Sequence, residues 1–100
     1  MIIPAIKYMS EHYSEDIPMS DLAETLGITH QHFCRLFRSA MDMSPNEYLT
    51  GLRISKAKQM LTEQNIPVSE IAAACGFRDP CYFSTIFKKS MGVPPTYFRK

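Results

Sequence analysis

An all-α fold is what this sequence predicts, and three observations carry it. Apolar residues recur at helical spacing, helix start and stop signals punctuate the chain, and most of it occurs twice. Ile17, Pro18, Ser20, Ala23 and Gly27 return 49 residues later as Ile66, Pro67, Ser69, Ala72 and Gly76. A one-residue insertion in the turn after the glycine then moves the offset to 50. From there Phe33, Phe37, Met41 and Pro45 match Phe83, Phe87, Met91 and Pro95, and Arg38 is answered by Lys88. Identities kept in order across a single insertion mark an internal repeat.

The elements follow in chain order. Ile3, Ile6, Met9 and Tyr13 suggest an opening helix over about residues 3–14. Ser20 is a suitable N-cap for a short helix whose Leu22, Ala23 and Leu26 form one apolar face, and Gly27 supplies the positive-φ residue that stops it. Thr29 can cap a longer helix whose Phe33, Leu36, Phe37 and Ala40 form an apolar stripe. Ser44-Pro45-Asn46-Glu47 is a capping box with proline at the first helical position. No proline interrupts the chain from Pro45 to Glu63, so Tyr48, Leu49, Leu52, Ala57, Met60 and Leu61 lie on a connector about 28 Å long, which Asn65-Ile66-Pro67 ends. The second copy repeats the grammar: Ser69 caps, Ile71, Ala72 and Cys75 pack, Gly76 stops, Asp79 caps with Pro80 behind it, and Phe83, Ile86 and Phe87 pack. Pro94-Pro95-Thr96-Tyr97-Phe98-Arg99 adds a closing turn of helix. The expectation is seven helices and no strand. Each copy, a short helix, a glycine turn and a longer helix, is a helix-turn-helix unit. Residues 1–44 are expected to form a first such subdomain, 45–64 the connector helix and 65–100 a second subdomain.

With 100 residues, one compact region of this kind is the default. No apolar run approaches a membrane span, and no charged leader with a cleavage site opens the chain, so a soluble, unexported protein is expected. The opening helix is expected to begin within a few residues of Met1, which leads to the expectation that no effector domain precedes it, while full-length regulator or fragment stays open. Cys34, Cys75 and Cys81 are odd in number and show no C-x-x-C spacing, which argues against a disulfide framework or zinc knuckle and for a reducing, cytoplasmic setting. The net charge of +1 gives no overall reason to expect a polyanion, but it hides an asymmetry. Residues 1–50 set Lys7, Arg35 and Arg38 against seven acids, a net −4, whereas residues 51–100 set eight bases against Glu63, Glu70 and Asp79, a net +5.

Helical phase indicates which side chains face outward. With Phe33 inward, Gln31, Arg35 and Arg38 lie most nearly opposite, flanked by His32 and Cys34. Arginine bridges guanine and glutamine bridges adenine bidentately in a major groove, while Arg38, a turn further on, suits a phosphate. With Phe83 inward, Cys81, Thr85 and Lys88 point out and Ser84 flanks, a face poorer in bidentate readers. Arg78, Lys88 and Lys89 make that copy a source of phosphate grip. Successive major-groove faces lie about 34 Å apart, so the connector length suits two recognition helices in successive grooves of a site about two turns long.

The segment from Ile71 through Cys75-Gly76-Phe77-Arg78-Asp79-Pro80 to Val93-Pro94-Pro95-Thr96-Tyr97-Phe98-Arg99 resembles the signature of the AraC/XylS family of bacterial transcription regulators. The likeness extends through Tyr48-Leu49 and Arg53 to Ala57, over nearly the whole chain. It implies a seven-helix, two-unit DNA-binding domain that activates, less often represses, transcription. It also implies double-stranded promoter DNA and RNA polymerase as partners, cytoplasmic work on nucleoid DNA and, in most members, a separate effector or dimerisation domain. Carried onto matching positions, it places Gln31, Cys34 and Arg35 of the first unit and Pro80, Cys81, Ser84 and Thr85 of the second on base edges. Serine is usual in the family where Cys81 stands, and arginine is common where Thr85 stands.

Other chemistry is poorly supported. His30 and Cys34 share a helix side, but His32 points about 160° away from Cys34, so no metal is expected. Neither a nucleophile elbow nor a phosphate-cradling glycine loop is present, and neither enzyme activity nor a cofactor is expected. Arg53, between Leu52 and Ile54, reads as a structural ion-pairing residue, and Cys34 and Cys81 as small contact residues rather than redox switches. The competing class is a protein-interaction module in which Glu11, Glu15, Asp16, Asp21 and Glu24 dock a basic partner without sequence-specific DNA binding.

Overall fold

Proline, glycine and three side-chain caps, at Thr29, Ser44 and Asp79, divide the chain into its elements. The computed structural model describes residues 2–99; Met1 and Lys100, the latter counted above among the bases, lie outside them. In order the elements are α1 (Ile3–His12), α2 (Met19–Thr25), α3 (His30–Met41), α4 (Pro45–Glu63), α5 (Val68–Ala74), α6 (Pro80–Met91) and a 3₁₀ turn (Pro95–Phe98), with no strand among the described residues. The expected seventh helix is therefore a single 3₁₀ turn. Pro94 and Pro95 stand where the first copy has Ser44 and Pro45, so the turn lacks the serine–glutamate box and closes through Tyr97 N–H to the Pro94 carbonyl and Arg99 N–H to that of Thr96.

Two compact units result, residues 1–50 and 51–100, and the division falls inside α4. It coincides with the boundary between the acidic and basic halves of the sequence. The start of α4 serves the first unit, where Pro45 and Leu49 are buried and Tyr48 packs edge-on against Phe37 at 5.6 Å. The 3₁₀ turn does the same for the second, with Pro95 buried and Phe98 edge-on to Phe87 at 5.8 Å. The later part of α4 buries Ile54, Ala57 and Leu61, the same i, i+3, i+7 spacing by which α1 buries Ile2, Ala5 and Met9. One helix thus closes the first unit and opens the second.

The glycine stops act as expected. Gly27 (φ +74°) and Gly76 (φ +97°) end α2 and α5 in matching Schellman turns: Ile28 N–H reaches the Ala23 carbonyl, and Phe77 N–H that of Ala72. Three expectations are corrected. Ser20 and Ser69 are not N-caps; α2 and α5 begin two residues earlier, behind Pro18 and Pro67, whose carbonyls accept the first helical bonds. That earlier start buries Met19. Helix α1 ends at His12 and packs through Ala5 and Met9, while Ile3 is 72% exposed. Ala40 faces solvent, so the inward stripe of α3 consists of Phe33 and Phe37 with Leu36 half-buried.

Candidate nucleic-acid interface

Helix α3 is fixed at its start, along its inner face and at its end. The Thr29 hydroxyl accepts the His32 N–H at 3.1 Å, satisfying a donor that the first turn leaves open. Phe33 and Phe37 are fully buried and meet edge-on at 5.9 Å. At the far end Asp42 takes the left-handed conformation and returns its N–H to the Arg38 carbonyl. With both phenylalanines held inward, Gln31, Arg35 and Arg38 stand exposed on the opposite side and Cys34 half-buried at its edge.

Helix α6 is held by the same devices with different side chains. The Asp79 carboxylate accepts the Cys81 N–H at 2.9 Å, Pro80 occupies the first helical position, and Gly92 ends the helix at φ +81°. Phe83 and Phe87 are fully buried, and Phe77 packs on Phe83 at 5.0 Å. Pro80, Cys81, Thr85, Lys88 and Lys89 are exposed, as is Arg78 in the preceding turn, and Ser84 is half-buried. Position by position, Cys81 stands for Gln31, Ser84 for Cys34, Thr85 for Arg35 and Lys88 for Arg38.

Two contacts bear on what these faces can do, and neither is legible in the sequence. The Arg38 guanidinium lies 3.7 Å from the Glu47 carboxylate, both largely exposed, so a phosphate can claim Arg38 at little cost. That carboxylate accepts the Ser44 N–H at 2.8 Å while Ser44 Oγ accepts the Glu47 N–H, completing the predicted capping box. The backbone and side-chain hydrogen bonds from Ser44, aided by Arg38, hold the Glu47 carboxyl below its ordinary pKa. In α6 the Thr85 hydroxyl donates to the Cys81 carbonyl at 3.1 Å, leaving its methyl and lone pairs for a ligand. Two flanking residues not singled out above as contacts are also presented: His32, exposed beside Gln31, and its counterpart Tyr82, 55% exposed beside Cys81. The signal for them was the repeat itself, which puts both at the third position of their helices.

Cys75, unlike the two cysteines on the presented faces, is buried; burial pushes its thiol pKa up, against a smaller downward pull from Arg53. Arg53 is half-buried.

A family described as a helix-turn-helix domain matches residues 22–100. The chain belongs to the AraC-type helix-turn-helix family. Among curated relatives, this AraC-type domain is 36% identical over 96 residues to the raffinose operon transcriptional regulatory protein RafR of Pediococcus pentosaceus, covering 96% of this chain and 35% of that protein. It is 32% identical to the lactose operon transcription activator of Staphylococcus xylosus, covering 95% of this chain and 34% of that one. It thus spans about a third of the length of the curated relatives it matches. Among solved structures, the C-terminal domain of AraT, a response regulator from Geobacillus stearothermophilus, superposes with a TM-score of 0.92 at 33% identity, covering 98% of this chain and 82% of that one. The DNA-binding domain of AdpA, a global transcriptional factor solved in complex with a target DNA, superposes at 0.92 with 28% identity, covering 98% and 88%. No helix among the described residues is long and apolar enough to cross a membrane.

Proposed function

We propose that this chain is the sequence-specific, double-stranded-DNA-binding part of a transcription regulator, acting more often as activator than repressor. The observation that carries the reading is the exposed Gln31, Arg35 and Arg38 face of α3, held by a buried phenylalanine pair. The likeness to a domain solved on its target DNA supports it. Helices α3 and α6 enter successive major grooves of a promoter site about two turns long. Gln31, Cys34 and Arg35 in the first unit, and Pro80, Cys81, Ser84 and Thr85 in the second, meet base edges; Arg38, Arg78, Lys88 and Lys89 meet phosphates. Residues 1–44 and 65–100 act as reading subdomains on either side of a connector over 45–64. The setting is the bacterial cytoplasm, on nucleoid DNA, with RNA polymerase as a second partner and an effector or dimerisation domain supplied by the remainder of a longer regulator. A binding titration over salt tests the reading. With about six phosphate contacts, affinity for duplex DNA falls roughly a thousandfold between 50 and 200 mM salt, and a flat response contradicts it.

A further inference from the structure

Pro45-Asn46-Glu47-Tyr48 and Pro95-Thr96-Tyr97-Phe98 occupy equivalent places in the two copies, and each run is buried, exposed, exposed and half-buried in turn. Tyr48 meets Phe37 edge-on at 5.6 Å and Phe98 meets Phe87 edge-on at 5.8 Å, so both runs lie against the longer helix of their unit in one register. In the second unit the Lys58 ammonium also stands over the Phe98 ring, 5.2 Å from its centroid, which adds a second hold on the turn.

At the third position of these runs the copies part. In the first, Glu47 serves the helix and the interface together: it accepts the Ser44 N–H, and its carboxylate stands 3.7 Å from the Arg38 guanidinium. A phosphate that claims Arg38 must draw it from that carboxylate and approach a second negative charge. In the second, Pro94 stands in place of Ser44 and has neither an amide hydrogen nor a hydroxyl, so a carboxylate at residue 97 would cap nothing. Tyr97 stands there instead, 69% exposed, its ring edge-on to that of Phe98 at 5.4 Å. Arg38 is answered by Lys88, exposed in the last turn of α6. By the shared register, the place that sets a carboxylate beside a cation in the first unit sets a neutral phenol, with a hydrogen to donate, beside a cation in the second.

We propose that Tyr97 is a DNA-contacting residue of the second unit: its hydroxyl donates to the phosphate that Lys88 grips, and the two side chains act as one clamp. The proposal rests on the DNA-binding reading above and adds to it a residue outside α6. A phenol in place of the first unit's carboxylate removes a competitor for the cation and supplies a donor to the phosphate. The second unit thereby holds the backbone more firmly, although its α6 face carries fewer bidentate readers.

The test is a duplex-binding titration over salt with the wild-type chain, Tyr97→Phe, Tyr97→Glu and Lys88→Ala, on a random duplex and on a site selected from a pool. Tyr97→Phe is expected to weaken both duplexes alike, about tenfold, and to leave the salt slope unchanged, since a phenol releases no counterion. Lys88→Ala weakens both and lowers the slope by about one. Tyr97→Glu, which copies the first unit's pairing, weakens both by more than Tyr97→Phe does. Scanning single neutral methylphosphonates along the duplex is expected to find one linkage whose neutralisation removes most of the Tyr97→Phe and Lys88→Ala losses together. Melting temperatures stay at the wild-type value, because residue 97 is exposed. Tyr97→Phe binding as tightly as the wild type, a loss confined to the selected site or matched by a lowered melting temperature, or different linkages for Tyr97 and Lys88 would overturn the clamp while leaving duplex binding by the wild type intact. Absence of salt-dependent duplex binding by the wild type itself would overturn the proposed function along with it.

Discussion

The two units bury their longer helices identically and present them differently. From His30 to Met41 and from Pro80 to Met91, every position has the same burial class as its partner fifty residues away. The buried pairs Phe33–Phe37 and Phe83–Phe87 are identical in type, while Gln31 and Arg35 give way to Cys81 and Thr85 outside. Packing has held the inner face to one solution, while the outer face has diverged from glutamine and arginine in one copy to cysteine and threonine in the other. What separates the copies is therefore chemistry on a common frame.

The largest way to break the comparison is through what the units share. Phe37→Ala and Phe87→Ala each remove a fully buried ring packed edge-on to a second aromatic, and each is expected to cost about 3–5 kcal/mol in urea unfolding. For a domain this small, losses of that size leave the affected unit unfolded in either case. A much smaller cost at one site than the other would show that the cores are not equivalent. The next effect separates the units. Arg35→Ala is expected to cost about 1–3 kcal/mol on the preferred duplex and relax selectivity at one base pair. Thr85→Ala, whose hydroxyl hydrogen is already given to the Cys81 carbonyl, is expected to cost under about 1 kcal/mol in the same binding assay.

Smaller effects sharpen the comparison at the helix ends. Thr29→Ala and Asp79→Ala each remove one side-chain cap, and both should lower unfolding free energy by about 1 kcal/mol. Asp42 occupies the left-handed position that Gly92 fills in the second unit, with its charge at a helix C-terminus. Asp42→Gly is accordingly expected to stabilise by about 0.5–1 kcal/mol, and Gly92→Asp to destabilise by a similar amount. The least effect is one of pH. Since folding lowers the Glu47 pKa, its contribution is present above the ordinary carboxylate range and is lost as pH falls through the lowered value. Thermal melts from neutral to acid pH should show this loss in the wild type, and Glu47→Gln should reduce it.

The helix order, both glycine stops, three of the caps and the exposed faces of α3 and α6 were legible in the sequence because each rests on residues a turn or less apart. Thr29, Ser44 with Glu47, and Asp79 bond to partners two or three residues on, as their spacing suggests. The misread starts of α2 and α5 come from a competition that local rules do not weigh. Ser20 and Ser69 are good caps in isolation, but beginning behind Pro18 buries Met19. The α1 stripe was misread because Ile3 outranks Ala5 in hydrophobicity, whereas Ala5 is the residue that is buried. Contacts of Arg38 with Glu47, Met60 with Cys75 and Arg99 with the Gln64–Ile66 turn join residues on different elements, and no spacing in the chain announces them.

The division of labour between the units is tested most directly by selecting bound duplexes from a random pool with the wild-type chain, Arg35→Ala and Lys88→Ala. The wild type should return a site with strong base preferences in one groove segment and weak ones about a turn away. Arg35→Ala should erase preference at one base pair of the strong segment, and Lys88→Ala should weaken every sequence alike. Equally strong preferences in both segments, a uniform loss from Arg35→Ala or a sequence-selective loss from Lys88→Ala would contradict it.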